Sequence, residues 1–188
     1  SDRTLCYVCM VYLRTSPSSS PAPGLQDFWS LYFKSLPDVY TDPLWWSHED
    51  LRLLTGSAMD SSLATRSSNL QRSYNTLFPI LTDEYPDMFP AAKFTWSNFV
   101  WAHSSWWSRV FDGAVMGTGP DGAATHEGEE VMLPLVDMAN HRCDEEACAK
   151  VDGGGADGGV DPSSSSSGPC VVLRAKRDIL KGEEILQC

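Results

Sequence analysis

The chain has 188 residues, 42% of them hydrophobic and seven of them Trp, with a formal net charge of −11 at pH 7. That length and apolar content suit one domain, or one domain carrying a sizeable insertion. The acidic balance argues against a nucleic-acid binder, which needs clustered Lys and Arg against phosphate, and no apolar run approaches the roughly 18 residues of a membrane span.

Six cysteines (Cys6, Cys9, Cys143, Cys148, Cys170 and Cys188) are scattered rather than framed. They read as thiols of a reducing compartment, not as a disulfide scaffold. The compartment itself is not legible. The chain opens at Ser1 inside what reads as a helix and stops at Cys188 inside what reads as a strand, so it is expected to be a fragment.

Residues 2–14 (DRTLCYVCMVYLR) predict a helix apolar nearly all round, hence buried. Cys6 and Cys9 form a C-x-x-C there. Without a second ligand pair they read as small core residues on one helical face. Residues 15–23 (TSPSSSPAP) are a Ser/Pro linker. A short amphipathic helix covers 25–36, with Leu25, Phe28, Trp29, Tyr32 and Leu36 on one side and Pro37 as its stop. Ser47 with Glu49 and Asp50 resembles a capping box opening a helix through Leu54, and Gly56 is a natural stop. From 57 to 82, Leu63, Leu70, Tyr74, Leu77 and Leu81 recur on one face of a long helix, which Pro79 should kink or end. A Pro-broken aromatic loop (85–94) precedes a helix capped by Thr95 and running to about Val110.

A Gly-rich loop (113–128) leads to residues 131–141 (VMLPLVDMANH). These predict an apolar, Pro-interrupted strand that turns polar at Asp137 and closes on Asn140-His141. After an acidic segment, residues 152–168 are almost wholly Gly, Asp and Ser, too polar to order a core and expected to be a mobile surface insertion. Residues 170–174 (CVVLR) predict a strand, Lys181-Gly182 a turn, and 185–188 a last strand.

Four phrases stand in fixed order: W-A-H-S-S-W-W-S-R-V-F (101–111), L-P-L-V-D-M-A-N-H (133–141), V-V-L-R-A-K-R-D-I (171–179) and K-G-E-E-I (181–185). Together they resemble the SET-domain methyltransferases, in the branch typified by the Rubisco large-subunit lysine methyltransferase, whose SET domain carries a helical insertion. S-L-P-D-V-Y-T-D-P-L-W-W-S-H-E-D-L (35–51) and F-T-W-S-N-F-V-W-A (94–102) look like that insertion. The resemblance runs from about Leu5 to Cys188.

The resemblance implies an α+β fold, a SET-domain β-clip of short strands with an all-helical insertion. Residues 1–23 would be an entry helix and linker, 24–94 the insertion and 95–188 the SET core. It implies transfer of a methyl group from S-adenosylmethionine, without a metal, to the lysine ε-amine of a protein substrate. A histidine N-methyltransferase of the same branch and a non-catalytic SET-like interaction module are the alternatives.

By resemblance Arg109 holds the donor's carboxylate, as a guanidinium can do bidentately. On position alone it reads rather as a helix-end arginine at the surface. Asn140 would face the donor's amino-acid end and His141 hold adenine through its backbone. A metal set of His141, Cys143 and Cys148 fits no common zinc spacing. Ser108, Phe111 and Asp137 match positions lining the substrate pocket, and Asp137 also reads as a turn cap. The aromatic at 111 favours lysine over histidine. The family's catalytic Tyr would fall just after Cys188 and its Gly-rich donor-binding strand before Leu5. Residues 1–188 alone are therefore expected to turn over little or not at all.

Overall fold

The computed structural model describes residues 2–15, 25–116, 128–142, 147–154 and 170–187. The Ser/Pro linker from residue 16, most of the Gly-rich loop, Cys143, the low-complexity insertion from residue 155 and Cys188 lie outside the described residues. The chain divides into two compact units, Ser1–Ser108 and Arg109–Cys188.

The first unit is helical: α1 (Asp2–Thr15), α2 (Leu25–Ser35), α3 (His48–Leu51), α4 (Ala58–Glu84) and α5 (Trp96–Arg109). Caps place the helix starts. Ser47 accepts from Asp50 N–H at 3.1 Å, Ser57 from Asp60 N–H at 3.2 Å, and Thr95 from Asn98 N–H at 3.3 Å. Asp60 reaches back to Gly56 N–H, completing a reciprocal cap.

The core of this unit forms around α5. Phe99, Ala102 and Trp106 recur at helical spacing and are buried. The Phe99 ring meets Phe78 of α4 at 4.9 Å, and Tyr7 of α1 and Tyr74 of α4 each at 5.7 Å. Burying each such ring contributes about 1.5–3 kcal/mol. The segment after α2 is pinned to α5 by polar handles of large side chains. Trp101 Nε1 donates to Pro37 O at 2.9 Å, Trp45 Nε1 donates to Ser104 Oγ at 2.9 Å, and the Tyr40 hydroxyl bonds Ser105 Oγ at 2.8 Å. Aromatic residues thus supply both apolar area and register.

Two expectations from the sequence are corrected by the fold. The first helix is not buried all round: Leu5 is 60% exposed and Cys9 is exposed, while Tyr7, Met10 and Val11 form the core stripe. Cys6 and Cys9 are therefore not both core residues. The helix containing Pro79 also continues through it to Glu84. Packing of Tyr74 and Phe78 on α5 holds the turns before Pro79, offsetting the lost backbone bond.

The second unit is built from short strands. β1 (Val110–Asp112) and β2 (Glu130–Met132) form an antiparallel pair. A separate sheet has the order β3-β6-β4-β5, with β3 (Asn140–His141), β4 (Ala149–Gly154), β5 (Cys170–Ala175) and β6 (Leu186–Gln187). β6 is parallel to both neighbours, and β4–β5 is an antiparallel hairpin. The observed class is α+β.

Residues 131–141 are not one strand. They form the end of β2, a 3-10 turn at Val136–Met138, and β3. The break is at Leu135, whose φ of 76° lies in the left-handed region that β-strands do not use. β4 is a further departure from expectation, because its sequence AKVDGG has little strand propensity and takes its order from pairing with CVVLRA.

Candidate functional site

The sequence-selected residues 109, 111, 137, 140 and 141 all lie in the second unit, and Ser108 ends the first. Ser108 sits in the last turn of α5, where its hydroxyl donates to Ser105 O at 3.0 Å. Phe111 is half-buried on β1, opposite Val131.

Arg109 and Asp137 are brought together. The 3-10 turn after Leu135 folds Asp137 inward, with its N–H donating to Leu133 O at 3.0 Å. Arg109 Nη1 donates to Asp137 O at 3.0 Å and lies 3.9 Å from Asp137 Oδ2. The Asp137 side chain is fully buried and that of Arg109 is 15% exposed, so this is not a solvated helix-end arginine. Removed from water, the charges attract strongly enough to fix the guanidinium's position. Arg109 Nε is buried with no hydrogen-bond partner among the described residues.

Asn140 and His141 are exposed on β3, in parallel register with Leu186 and Gln187 of β6. Asn140 Nδ2 donates to Glu184 Oε1 at 2.5 Å, a charge-assisted bond. Beneath that pair, the buried Gln187 donates from Nε2 to Ala139 O at 3.3 Å and accepts at its main-chain oxygen from Arg142 N–H at 2.8 Å. Cys148, fully buried, ties the other side of β6: its N–H donates to Leu186 O at 2.9 Å, and Leu186 N–H donates to its Sγ at 3.3 Å.

Glu184 and Gln187 belong to this site although sequence reasoning does not select them. Their signal is the K-G-E-E-I phrase, but which carboxylate matters depends on the turn at Gly182, φ 88°. That turn sends Glu183 to Arg177 and to Leu180 N–H, and leaves Glu184 for Asn140. The hydrogen bond from Arg177 holds the Glu183 carboxyl below its usual range.

No group of three or more His, Cys, Asp or Glu side chains that could hold a metal occurs among the described residues. No helix among them is long and apolar enough to cross a membrane.

A turn anchored by a buried guanidinium is thus followed by an Asn-His strand beside a G-E-E turn. The SET domain family model matches residues 13–188, and the chain belongs to that family. Among curated relatives, the actin-histidine N-methyltransferase of Mus musculus is 27% identical over 133 residues, which is 68% of this chain and 19% of that protein. The Homo sapiens actin-histidine N-methyltransferase is 26% identical over the same length and shares. The chain thus spans about a fifth of the length of these relatives.

Proposed function

We propose that the protein is an S-adenosylmethionine-dependent protein N-methyltransferase, with this chain contributing part of its SET domain. The observation that carries the reading is Arg109. Its guanidinium is fixed by Asp137, yet Nε is a buried donor without an acceptor among the described residues, and a ligand carboxylate would supply one. Asn140, oriented by Glu184 through its amide nitrogen, keeps its carbonyl oxygen to accept from the ligand's ammonium. His141 follows on the same strand, and by the family resemblance its backbone would hold the adenine. When bound, S-adenosylmethionine supplies a methyl group on a sulfonium that a nitrogen lone pair can take in one displacement. The protein's part is to align the two reactants and exclude water.

The acceptor is a side-chain nitrogen of a protein. Histidine is the first reading, supported by the names of the relatives and by Asp137. The carboxylate assigned to a lysine ammonium is buried against Arg109, leaving it poorly placed to receive a second cation. Lysine is kept as the second reading on the strength of Phe111, an aromatic that by the family resemblance matches the pocket of lysine-methylating SET domains. The domain division into entry helix (1–23), insertion (24–94) and SET core (95–188) is part of the same proposal.

The test uses the full-length protein, S-adenosylmethionine, and two capped peptide libraries, one with a single His and no Lys, the other the reverse. Methylated His peptides in the mass spectrum are the expected result, and methylation confined to the Lys library moves the acceptor to lysine. Calorimetric binding of the donor with no transfer to either library would favour an interaction module. No donor binding at all would sink the reading.

A further inference from the structure

Leu135 is the one residue other than glycine with a positive φ among the described residues. Resting on the methyltransferase reading above, we propose that its side chain is a specificity contact for the protein substrate, taking an apolar side chain that flanks the residue to be methylated.

The backbone gives no reason for a leucine. Leu135 has φ 76° and ψ −42° and lies inside the turn that Asp137 N–H closes on Leu133 O at 3.0 Å. A Cβ is crowded at positive φ, and turns that need it are normally built with Gly or Asn. Elsewhere this chain keeps to that rule: Gly56, Gly128 and Gly182 take the other positive φ values among the described residues. Both bonds of the turn, Asp137 N–H to Leu133 O and Met138 N–H to Leu135 O at 3.3 Å, join main chain to main chain, so glycine would make them equally.

Nor does the core give one. Leu135 is 63% exposed, so burial in this unit does not offset the strain. An exposed leucine by itself means little. One held in a strained turn beside a binding site points to use by a ligand, because such strain collects at functional sites.

Its position says which ligand. Arg109 Nη1 donates to Asp137 O at 3.0 Å and to Met138 Sδ at 3.5 Å, so the turn bearing Leu135 is clamped by the guanidinium assigned to the donor's carboxylate. Asp137, two residues on, stands at most roughly 7 Å away along the chain. A polypeptide whose side-chain nitrogen reaches the donor lays its flanking residues over the surface around the site. An extended chain advances roughly 3.3 Å per residue, so a residue two places from the acceptor is offset by a comparable distance. Apolar area left in water gains by being covered with apolar area, which selects Leu, Ile or Met over a polar side chain there.

The test uses the full-length protein, S-adenosylmethionine and capped peptides with one acceptor, His or Lys, whichever the protein methylates. The three positions on each side carry either Leu, Ile and Met or Ser and Gln. The parent is expected to favour the apolar flanks in kcat/KM. Leu135→Gly and Leu135→Gln should each lower kcat/KM for those peptides by about tenfold, chiefly through KM and at the low end of what covering a leucine is worth. Leu135→Met should stay within about twofold of the parent. The dissociation constant of the donor, read by calorimetry, should move less than about twofold in all three, and Leu135→Gly, which relaxes the turn, should melt no lower than the parent. Either of the first two variants carries the comparison if the other does not fold. An unchanged preference in Leu135→Gly and Leu135→Gln would overturn the proposal. So would a lower melting temperature in both with the kinetics unmoved, which would mean that Leu135 packs against another part of the protein. No transfer by the parent to any peptide would overturn the methyltransferase reading itself, and this proposal with it.

Discussion

Arg109 donates a hydrogen bond to the main-chain oxygen of Asp137, 3.0 Å away, while the carboxylate of the same residue faces it at 3.9 Å. One aspartate therefore fixes the arginine twice, by geometry through its backbone and by charge through its side chain. Asp137→Asn should keep the first and remove the second. Arg109 would be left as a largely buried cation without compensation, and stability should drop by about 2–3 kcal/mol. Thermal unfolding with and without S-adenosylmethionine checks both halves of this. A ligand carboxylate that reaches Arg109 restores the missing charge, so the donor should raise the melting temperature more in the variant than in the parent. An equal rise in both would separate Arg109 from the donor.

The bond from Asn140 to Glu184 makes a second prediction, this time on affinity. Glu184→Gln retains an acceptor and should bind S-adenosylmethionine nearly as well as the parent. Glu184→Ala frees the Asn140 amide to rotate, and because both residues are exposed the loss should be about 1 kcal/mol, roughly fivefold in dissociation constant. Titration calorimetry reads both. The maximal rate at saturating donor should move less than the affinity, since Glu184 acts through Asn140.

His103 links pH to stability in the first unit. Burial is the main cause that lowers its pKa to about 4; the charge of Arg66 adds to it and Asp42 opposes it. In the unfolded chain the imidazole titrates near 6.5, so the unfolded state takes up a proton first on acidification. Its contribution is full above about pH 6.5, shrinks as pH falls towards about 4, and levels off below, with a ceiling of roughly 3 kcal/mol. Urea midpoints across that window should decline in the parent. In His103→Leu the part of the slope due to this group should vanish.

The acceptor can also be read from a pH–rate profile. A neutral imidazole needs no deprotonation above about pH 6.5–7, so a histidine acceptor gives a plateau there. A lysine of ordinary basicity gives a rate that climbs about tenfold per pH unit towards 10.4. The single-acceptor peptides serve as substrates, and initial rates at subsaturating peptide distinguish the two shapes.

The long helices are readable in the sequence because their apolar positions repeat at the helical interval over several turns. Leu63, Leu70, Tyr74, Leu77 and Leu81 mark the less exposed face of α4 by spacing. Leu135 shows the opposite case. Its left-handed backbone is demanded by neither its side chain nor its neighbours in sequence, so an apolar run that scans as a strand is three pieces instead. Family resemblance makes Asp137 a substrate contact, but its burial against Arg109 depends on that unreadable turn. Glu183 and Glu184 are equivalent in sequence. The turn at Gly182 alone distinguishes them, one to Arg177 and one to Asn140.

The position of β6 bears on the order in which the second unit can form. It comes last along the chain among the described strands of its sheet, yet it lies between β3 and β4. β4 and β5 can close as a hairpin as soon as Ala175 is made. Among the described residues, the strand bearing Asn140 and His141 has no neighbour until Leu186 and Gln187 arrive, 46 positions later. A contact of that separation forms slowly because chain entropy must be overcome before it is rewarded. A nascent chain on the ribosome would carry the strand of Asn140 and His141 without β6 through that interval, open to a chaperone or a protease.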